Sequence, residues 1–486
     1  MKLANQVTKF GTAVLITSVF GFAWSCSENS VAERSELLRE WEGPYGGVPA
    51  WDKVQPAEFP AAFDVAMAEA KQEIEAIAKN PAPPTFLNTL VAMEKAGKTL
   101  TRLNAIFGVH TSNLNIDPMP KLESEINPKL AAHYDSITQN TALFARIAHV
   151  YKTETDLGSA ERRLVENTYK SFVRQGATLN AEQKTQLSQI NQEISKLETQ
   201  FSQNVLKDEQ EKVTWIENEA DLKGLSPSLI GGYAKAAQDL SKPGTWAVRN
   251  TRSAVAPFLT YAENRSLRES VWKTFYSRGD NGDKNDNNAL ISKIVSLRSE
   301  RAKLLGYETH AHLILEPRMA KNPENAMNLM MQVWPKAVVR VGEEVADMQK
   351  LAAAEGQAIT IEGWDYRFYA EKVRKEKFDL DSNEIRQYLQ LEKLVEAIHW
   401  MAAEVFELTF TRVTDVPIFH PDVRVYKVTD ATGNLVGLWY LDPYARDGKR
   451  SGAWMTDYRA QQNMDGQWIT PIVSNNSNFV KTDDGK

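Results

Sequence analysis

The sequence predicts a mainly α-helical chain with a small antiparallel β-sheet near its C-terminal end. Two patterns carry this. Apolar residues recur at helical spacing through most of the chain. After about residue 408 the apolar period falls from roughly 3.6 to 2, which marks strands. Composition bounds the class: 42% hydrophobic and 25% charged residues are those of a soluble globular protein. A length of 486 residues suits a few domain-sized units or one large helical body with a sizeable core. The net charge of −6, from 57 basic and 63 acidic residues, lacks a basic footprint, so nucleic acid is not an expected partner. Twelve tryptophans predict an aromatic-rich interior or cleft.

The first element is an export segment. Lys2 and Lys9 precede the uncharged run "FGTAVLITSVFGFAWSC", which is too short and too rich in small residues for a comfortable membrane span. It has the basic start, apolar middle and small-residue end of a secretion signal, 1–25. Ala23 and Ser25 flank Trp24 ahead of Cys26, the only cysteine. The segment resembles a bacterial lipoprotein signal, which implies lipid attachment at Cys26 and a periplasmic protein anchored to the outer membrane. Ordinary secretion with an unmodified Cys26 is the alternative. No disulfide is expected.

The helices follow in order. In "AAFDVAMAEAKQEIEAIAKN", Phe63, Met67, Ala70, Ile74 and Ile77 fall on one face, and Asn80-Pro81 stops the helix. From 181, Leu187, Ile190, Ile194, Leu197, Phe201 and Val205 form a long stripe behind an Asn180/Gln183 capping box. "DLKGLSPSLIGG" breaks the pattern, and "TWAVRN" and "PFLTYA" read as β-like pieces. Helices resume from Arg265, among them a long one from "NPENAM" to Gly356. The strands come last: "DVRVYKV" (422–428) and "LVGLWYL" (435–441) joined by "TDATGN", then a charged loop, a Met464-Asp465-Gly466 turn, and a final edge strand around 467–474.

Few residues carry chemistry by pattern alone. A metallopeptidase helix needs two His at i and i+4 with an intervening Glu, and none of His110, His133, His149, His310, His312, His399 or His420 fits. His310 and His312 fall on different helix faces, and His420-Pro421-Asp422 reads as a structural turn. There is no G-x-S-x-G elbow and no phosphate-binding glycine loop. "ARDGKRSGAW" could hold an anion, but pairing of its cations with Asp442 or Asp447 is the expected arrangement.

Many stretches in order resemble one family across nearly the whole mature length. They include "NPAPPTFLNTLVAMEKAG", "RGDNGDKNDN", "LRSERAKLLGYETHAH", "WDYRFYAEKVRKEKFDLD", "VPIFHPDVRVYKVTDATGNLVGLWYLDPYARDGKRSGAW" and "PIVSNNSNF". The chain is similar to the thimet oligopeptidase family of zinc peptidases, and most similar to bacterial peptidyl-dipeptidases. The resemblance implies a helical ellipsoid split by a deep channel that admits short unstructured oligopeptides. In that family an H-E-x-x-H zinc helix follows the position where this sequence stops. The expectation is therefore a chain cut short before its catalytic helices and inactive alone, with no zinc bound and no residue inheriting a catalytic or metal role. The alternative is a non-catalytic, lipid-anchored helical protein that binds peptides or partners. On this reading 26–262 is an N-terminal helical domain, 263–408 the helical part of the peptidase domain, and 409–486 its β-rich part, in a monomer. Ser474, Asn475 and Asn478 are the candidate substrate-binding residues, through strand addition along the last strand.

Overall fold

The computed structural model describes residues 35–380 and 382–480. Cys26 and the export segment lie outside the described residues.

The N-terminal half is built from helices that bury one stripe each. Helix α1 (Phe59–Ala78) buries Phe59, Phe63, Ala66, Ala70 and Ile74, the face its spacing predicts. It packs against α2 (Lys98–Asn113), α3 (Met119–Thr138) and α4 (Thr141–Thr153). Helix α4 packs on α5 (Ser159–Arg174). Helix α6 (Ala181–Glu211) buries Leu187, Ile190, Ile194 and Leu197, and its capping box is made by Asn180 Oδ1 accepting from Gln183 N at 2.9 Å. It packs along α3.

A second cluster surrounds a two-stranded ribbon, β1 (Val213–Ile216) with β2 (Trp246–Arg249), covered by α7 (Pro227–Asp239), α8 (Arg252–Tyr261) and α9 (Arg265–Tyr276). "PFLTYA", expected as β-like, is the second half of α8. Its Pro257 is tolerated inside the helix, while Phe258 and Leu259 turn into the core, so burial overrides β propensity. Then come α10 (Asn288–Leu304), α11 (His310–Leu315), α12 (Pro323–Ala354), α13 (Gly363–Phe378), α14 (Ser382–Tyr388) and α15 (Leu391–Phe406). Asp365 of α13, fully buried, accepts from Arg268 Nη2 at 2.9 Å and Arg265 Nη2 at 2.7 Å and so ties α13 to α9.

Helices α12 and α15 bury little. Only Met348 and Ala352 of α12 are buried, whereas Met330, Met331, Val333, Val338 and Val339 are exposed and Trp334 is 64% exposed. On α15, Ile398, Met401, Val405 and Phe406 are exposed and Trp400 is 66% exposed. This is a far larger apolar surface than scattered single residues would give.

The sheet orders β3 (Thr409–Val413), β4 (Arg424–Thr429), β5 (Leu435–Tyr444), β9 (Ile472–Phe479) and β6 (Trp454–Arg459). A separate hairpin, β7 (Gln462–Met464) with β8 (Gln467–Ile469), turns through Asp465 and Gly466, both at positive φ. Two expectations are corrected here. The sheet is mixed, because β9 runs parallel to β5. The last strand is not at the edge: it inserts between β5 and β6 and is paired on both sides. The chain leaves β5, forms β6 and the hairpin, and returns into the gap, a crossover that period-2 patterning does not encode.

Both sheet faces are covered over most of their area. Val423, Val425, Leu438, Tyr440 and Ile472 face α1 and α2 in the main core. Tyr426, Val428, Trp439 and Leu441 face Val395 of α15. The alternation in "DVRVYKV" thus sorts residues to two different interiors rather than to core and solvent.

Candidate functional site

The site is assembled around the loop between β5 and β6. Asp442, 0% exposed, sits where β5 ends. Its Oδ1 accepts from Arg446 Nη1 at 2.7 Å and lies 3.0 Å from Lys449 Nζ. Its Oδ2 accepts from Arg446 Nη2 and from Asn113 Nδ2 of α2, both at 2.7 Å. Asn113 Nδ2 also reaches Asn476 Oδ1 of β9 at 2.8 Å. Lys449 Nζ donates further to the carbonyls of Asp442 and Tyr444 at 3.0 and 2.8 Å. One carboxylate therefore joins a helix, two strands and the loop. Burial alone would raise the Asp442 carboxyl, but the bonds and charge of Arg446, Lys449 and Asn113 outweigh it and hold it below the ordinary range. For Lys449 burial prevails over the pull of Asp442, and the ammonium falls to about 8.

The backbone of the same loop is pinned to the end of α2. Asn115 N donates to Gly448 O and Arg450 N to Ser112 O, each at 2.9 Å. Gly448 has φ +78°, and a Cβ there would lie 2.9 Å from the Asn115 nitrogen, so this close approach requires glycine. Arg450 pairs with Glu123 of α3 at 3.0 Å, and Ser451 Oγ donates to Glu209 of α6 at 2.7 Å. The expected pairing of the loop cations with Asp442 holds, with Asp447 taken instead by Arg249. Within the loop only Gly448 and Lys449 are buried, while Asp447, Arg450, Gly452 and Ala453 are exposed.

Beyond this anchor β6 emerges as a sheet edge, with β9 on one side and, among the described residues, no strand on the other. Met455 stands opposite Asn475 and Asp457 opposite Val473, so these side chains share the face that α15 covers farther along the sheet. Over β6 and β9 that face is open. Met455 is 60% exposed, and Asp457 and Asn475 are exposed. Trp439 Nε1 donates to Asn475 Oδ1 at 2.8 Å and fixes the amide from below. An unpaired strand edge beside an open face holding an oriented amide and a carboxylate can pair with an extended backbone and read alternate side chains.

The three candidate residues part company here. Asn475 lies on the open face. Ser474, 1% exposed, points the other way, with Oγ donating to Thr456 O at 3.3 Å and accepting from Asn476 Nδ2 at 3.1 Å. Asn478 Nδ2 is engaged by the carbonyls of Arg450 and Gly452 at 2.9 and 2.7 Å. Strand addition along the backbone of 474–478 has no free edge to use, because β9 is internal. The residues that sequence reasoning passed over are Asn113, Asn476 and the β6 edge. Asn113 lies 329 positions from Asp442 in "TSNLN", and no local signal links them.

The histidines do not converge. His110 is buried in the core with its ring 5.5 Å from Phe59, and burial lowers it to about 4. His399 stacks on Phe410 at 4.6 Å. Thr309 caps the helix of His312, its Oγ1 accepting from His312 N at 3.3 Å and lying 2.9 Å from His312 Nδ1, and His420 Nδ1 accepts from Asp422 N at 3.2 Å. Among the described residues no three His, Cys, Asp or Glu stand close enough to hold a metal ion.

Residues 258–486 match Peptidase family M3. Dipeptidyl carboxypeptidase of Salmonella typhimurium is 33% identical over 463 residues, covering 95% of this chain and 67% of that protein. The chain belongs to peptidase family M3. Dipeptidyl carboxypeptidase of Escherichia coli is also 33% identical, over 89% of this chain and 64% of its own length. Oligopeptidase A of Salmonella typhimurium is 27% identical over 90% and 65%. The chain thus spans about two thirds of the length of these M3 relatives. The helical body and small mixed sheet are those of the M3 fold.

Proposed function

We propose that this M3 chain is the peptide-binding portion of a peptidyl-dipeptidase-type enzyme, and that it takes short unstructured oligopeptides as an added strand on β6. The observation that carries this is the free β6 edge beside the open face of Met455, Asp457 and Asn475. Relatives named dipeptidyl carboxypeptidase and oligopeptidase support peptides as the substrate class.

M3 enzymes depend on zinc, but the described residues supply no ligand set for it, so no catalytic step is derived through a metal here. In the proposal the hydrolytic centre belongs to polypeptide corresponding to the third of the M3 relatives that this chain does not match, in cis or in trans. That polypeptide would cover the exposed apolar faces of α12 and α15. The 486 residues alone are then a binder without peptidase activity. The reading also retains lipid attachment at Cys26, supported by the apolar run that ends "FAWSC".

Fluorescence anisotropy of a labelled, unstructured short peptide titrated with this chain tests the reading. Saturable binding that weakens in Asn475→Leu is the expected result. No binding by the wild-type chain, or chelator-sensitive hydrolysis by these 486 residues alone, overturns it.

A further inference from the structure

A second site lies away from the sheet, in a cleft of about 580 Å³ between α8, α9 and α13. Three aromatic residues wall it: Trp272 and Tyr276 of α9 and Tyr366 of α13. Trp272 and Tyr276 stand one helical turn apart and stack, with ring centroids 4.7 Å apart and 27° between their planes. A Cβ at Gly363 would lie 2.7 Å from Trp272 Cζ2, so glycine there lets the first turn of α13 close onto the indole and hold it. The Tyr366 ring is held at its far end, where the hydroxyl donates to Glu344 of α12 at 2.9 Å. Tyr276 remains 59% exposed, so the held rings present an open aromatic surface to the cleft.

The charges beside these rings are matched unevenly. Glu371 lies one turn from both Arg367 and Arg374 on the surface of α13, so it could pair with either. Both of its oxygens are taken by Arg374, whose Nε and Nη2 donate at 2.8 and 2.7 Å. Arg367 is exposed and makes no hydrogen bond or ion pair among the described residues. The lining thus holds two guanidinium groups against one carboxylate, and the guanidinium in excess is the free one. A guanidinium with its N–H fork free takes a carboxylate through two parallel hydrogen bonds, and an aromatic surface beside it takes a planar ring by offset stacking. An aliphatic acid would use only the first feature and a neutral arene only the second. The cleft volume lies within the usual range for small-ligand sites.

We infer that this cleft binds a small planar aromatic carboxylate, with its ring among Trp272, Tyr276 and Tyr366 and its carboxylate on Arg367. The site shares no residue with the β6 edge or with the loop around Asp442, and it stands whether or not β6 binds peptides.

Isothermal titration of the full chain with 2-naphthoate tests this, alongside the neutral 2-naphthamide and the non-aromatic cyclohexanecarboxylate. Saturable binding of 2-naphthoate is expected, weakened about tenfold or more in either analogue, the size of a lost charge-assisted hydrogen bond or ring stack. Arg367→Gln should weaken 2-naphthoate to the level of 2-naphthamide and leave 2-naphthamide unchanged, whereas Tyr276→Leu should weaken both. Hydrogen exchange on the wild-type chain adds a readout that needs no variant: slowing at 272–276 and 363–371 on adding 2-naphthoate supports the site, and slowing confined to other segments overturns it. Absence of saturable 2-naphthoate binding, equal binding of 2-naphthoate and 2-naphthamide, or undiminished 2-naphthoate binding in Arg367→Gln also overturns it.

Discussion

Replacing Asp442 with Asn should loosen the whole junction between the N-terminal helices and the β6 edge. The native carboxylate is fully buried and takes four contacts within 3.0 Å, from Arg446 twice, Lys449 and Asn113. Asn offers one acceptor in place of two oxygens and brings an NH₂ group against neighbours that are all donors. Arg446 and the buried Lys449 ammonium are left uncompensated. Breaking one side of a buried ion pair costs roughly 3–5 kcal/mol. Set against a net stability of roughly 5–15 kcal/mol, this is at least about a fifth of the total. The assay is urea denaturation of wild type and Asp442→Asn at neutral pH, with hydrogen exchange on 110–115 and 445–459. The midpoint should fall with little change in slope, and both segments should exchange faster. The pH dependence identifies the cause. Because the folded carboxyl is held below its ordinary value, its stabilisation is present above about pH 4 and lost as the pH falls through the folded pKa. The gap between the two proteins should therefore close in strong acid. A difference under about 1 kcal/mol at pH 7, or a gap that persists in acid, would refute the reasoning.

The other expectations concern separate parts of the chain. His110, lowered to about 4 by burial, binds no proton in the fold between pH 6.5 and 4 while the unfolded chain does, so acid should remove roughly 3 kcal/mol over that window, and His110→Phe should flatten the loss in pH-dependent denaturation. On the exposed face of α12, Met330→Glu with Trp334→Lys should leave the thermal midpoint within a few degrees while reducing self-association in sedimentation velocity; a large destabilisation would mean the face is already buried. Cys26→Ser should release the protein from the membrane fraction into the soluble periplasm, and equal release of both forms would rule out the anchor.

Local pattern made the helices legible. The stripe from Leu187 to Leu197 and the cap at Asn180 are set by neighbours three and four positions apart, and the long helix ending before Gly356 was equally plain. The sheet was legible only as strands. That β9 slips between β5 and β6 is decided by which gap its Ile472 and Ser474 can fill, a choice among partners far along the chain. The same distance explains the site. Asn475 alternates outward and could be chosen from its context, but Asp442 acquires its role only when Asn113 arrives from α2. The stretch "PFLTYA" shows the converse, a local β signal overruled by the burial of Phe258 in α8.

The central claim is that β6 takes an extended peptide as a new strand, and hydrogen exchange with and without a short unstructured peptide tests it most directly. Both β3 and β6 are sheet edges, so the molecule carries its own control. The account predicts slower exchange at 454–459 with saturating peptide and no change at 409–413. Unchanged exchange at 454–459, or equal slowing at both edges, would contradict it.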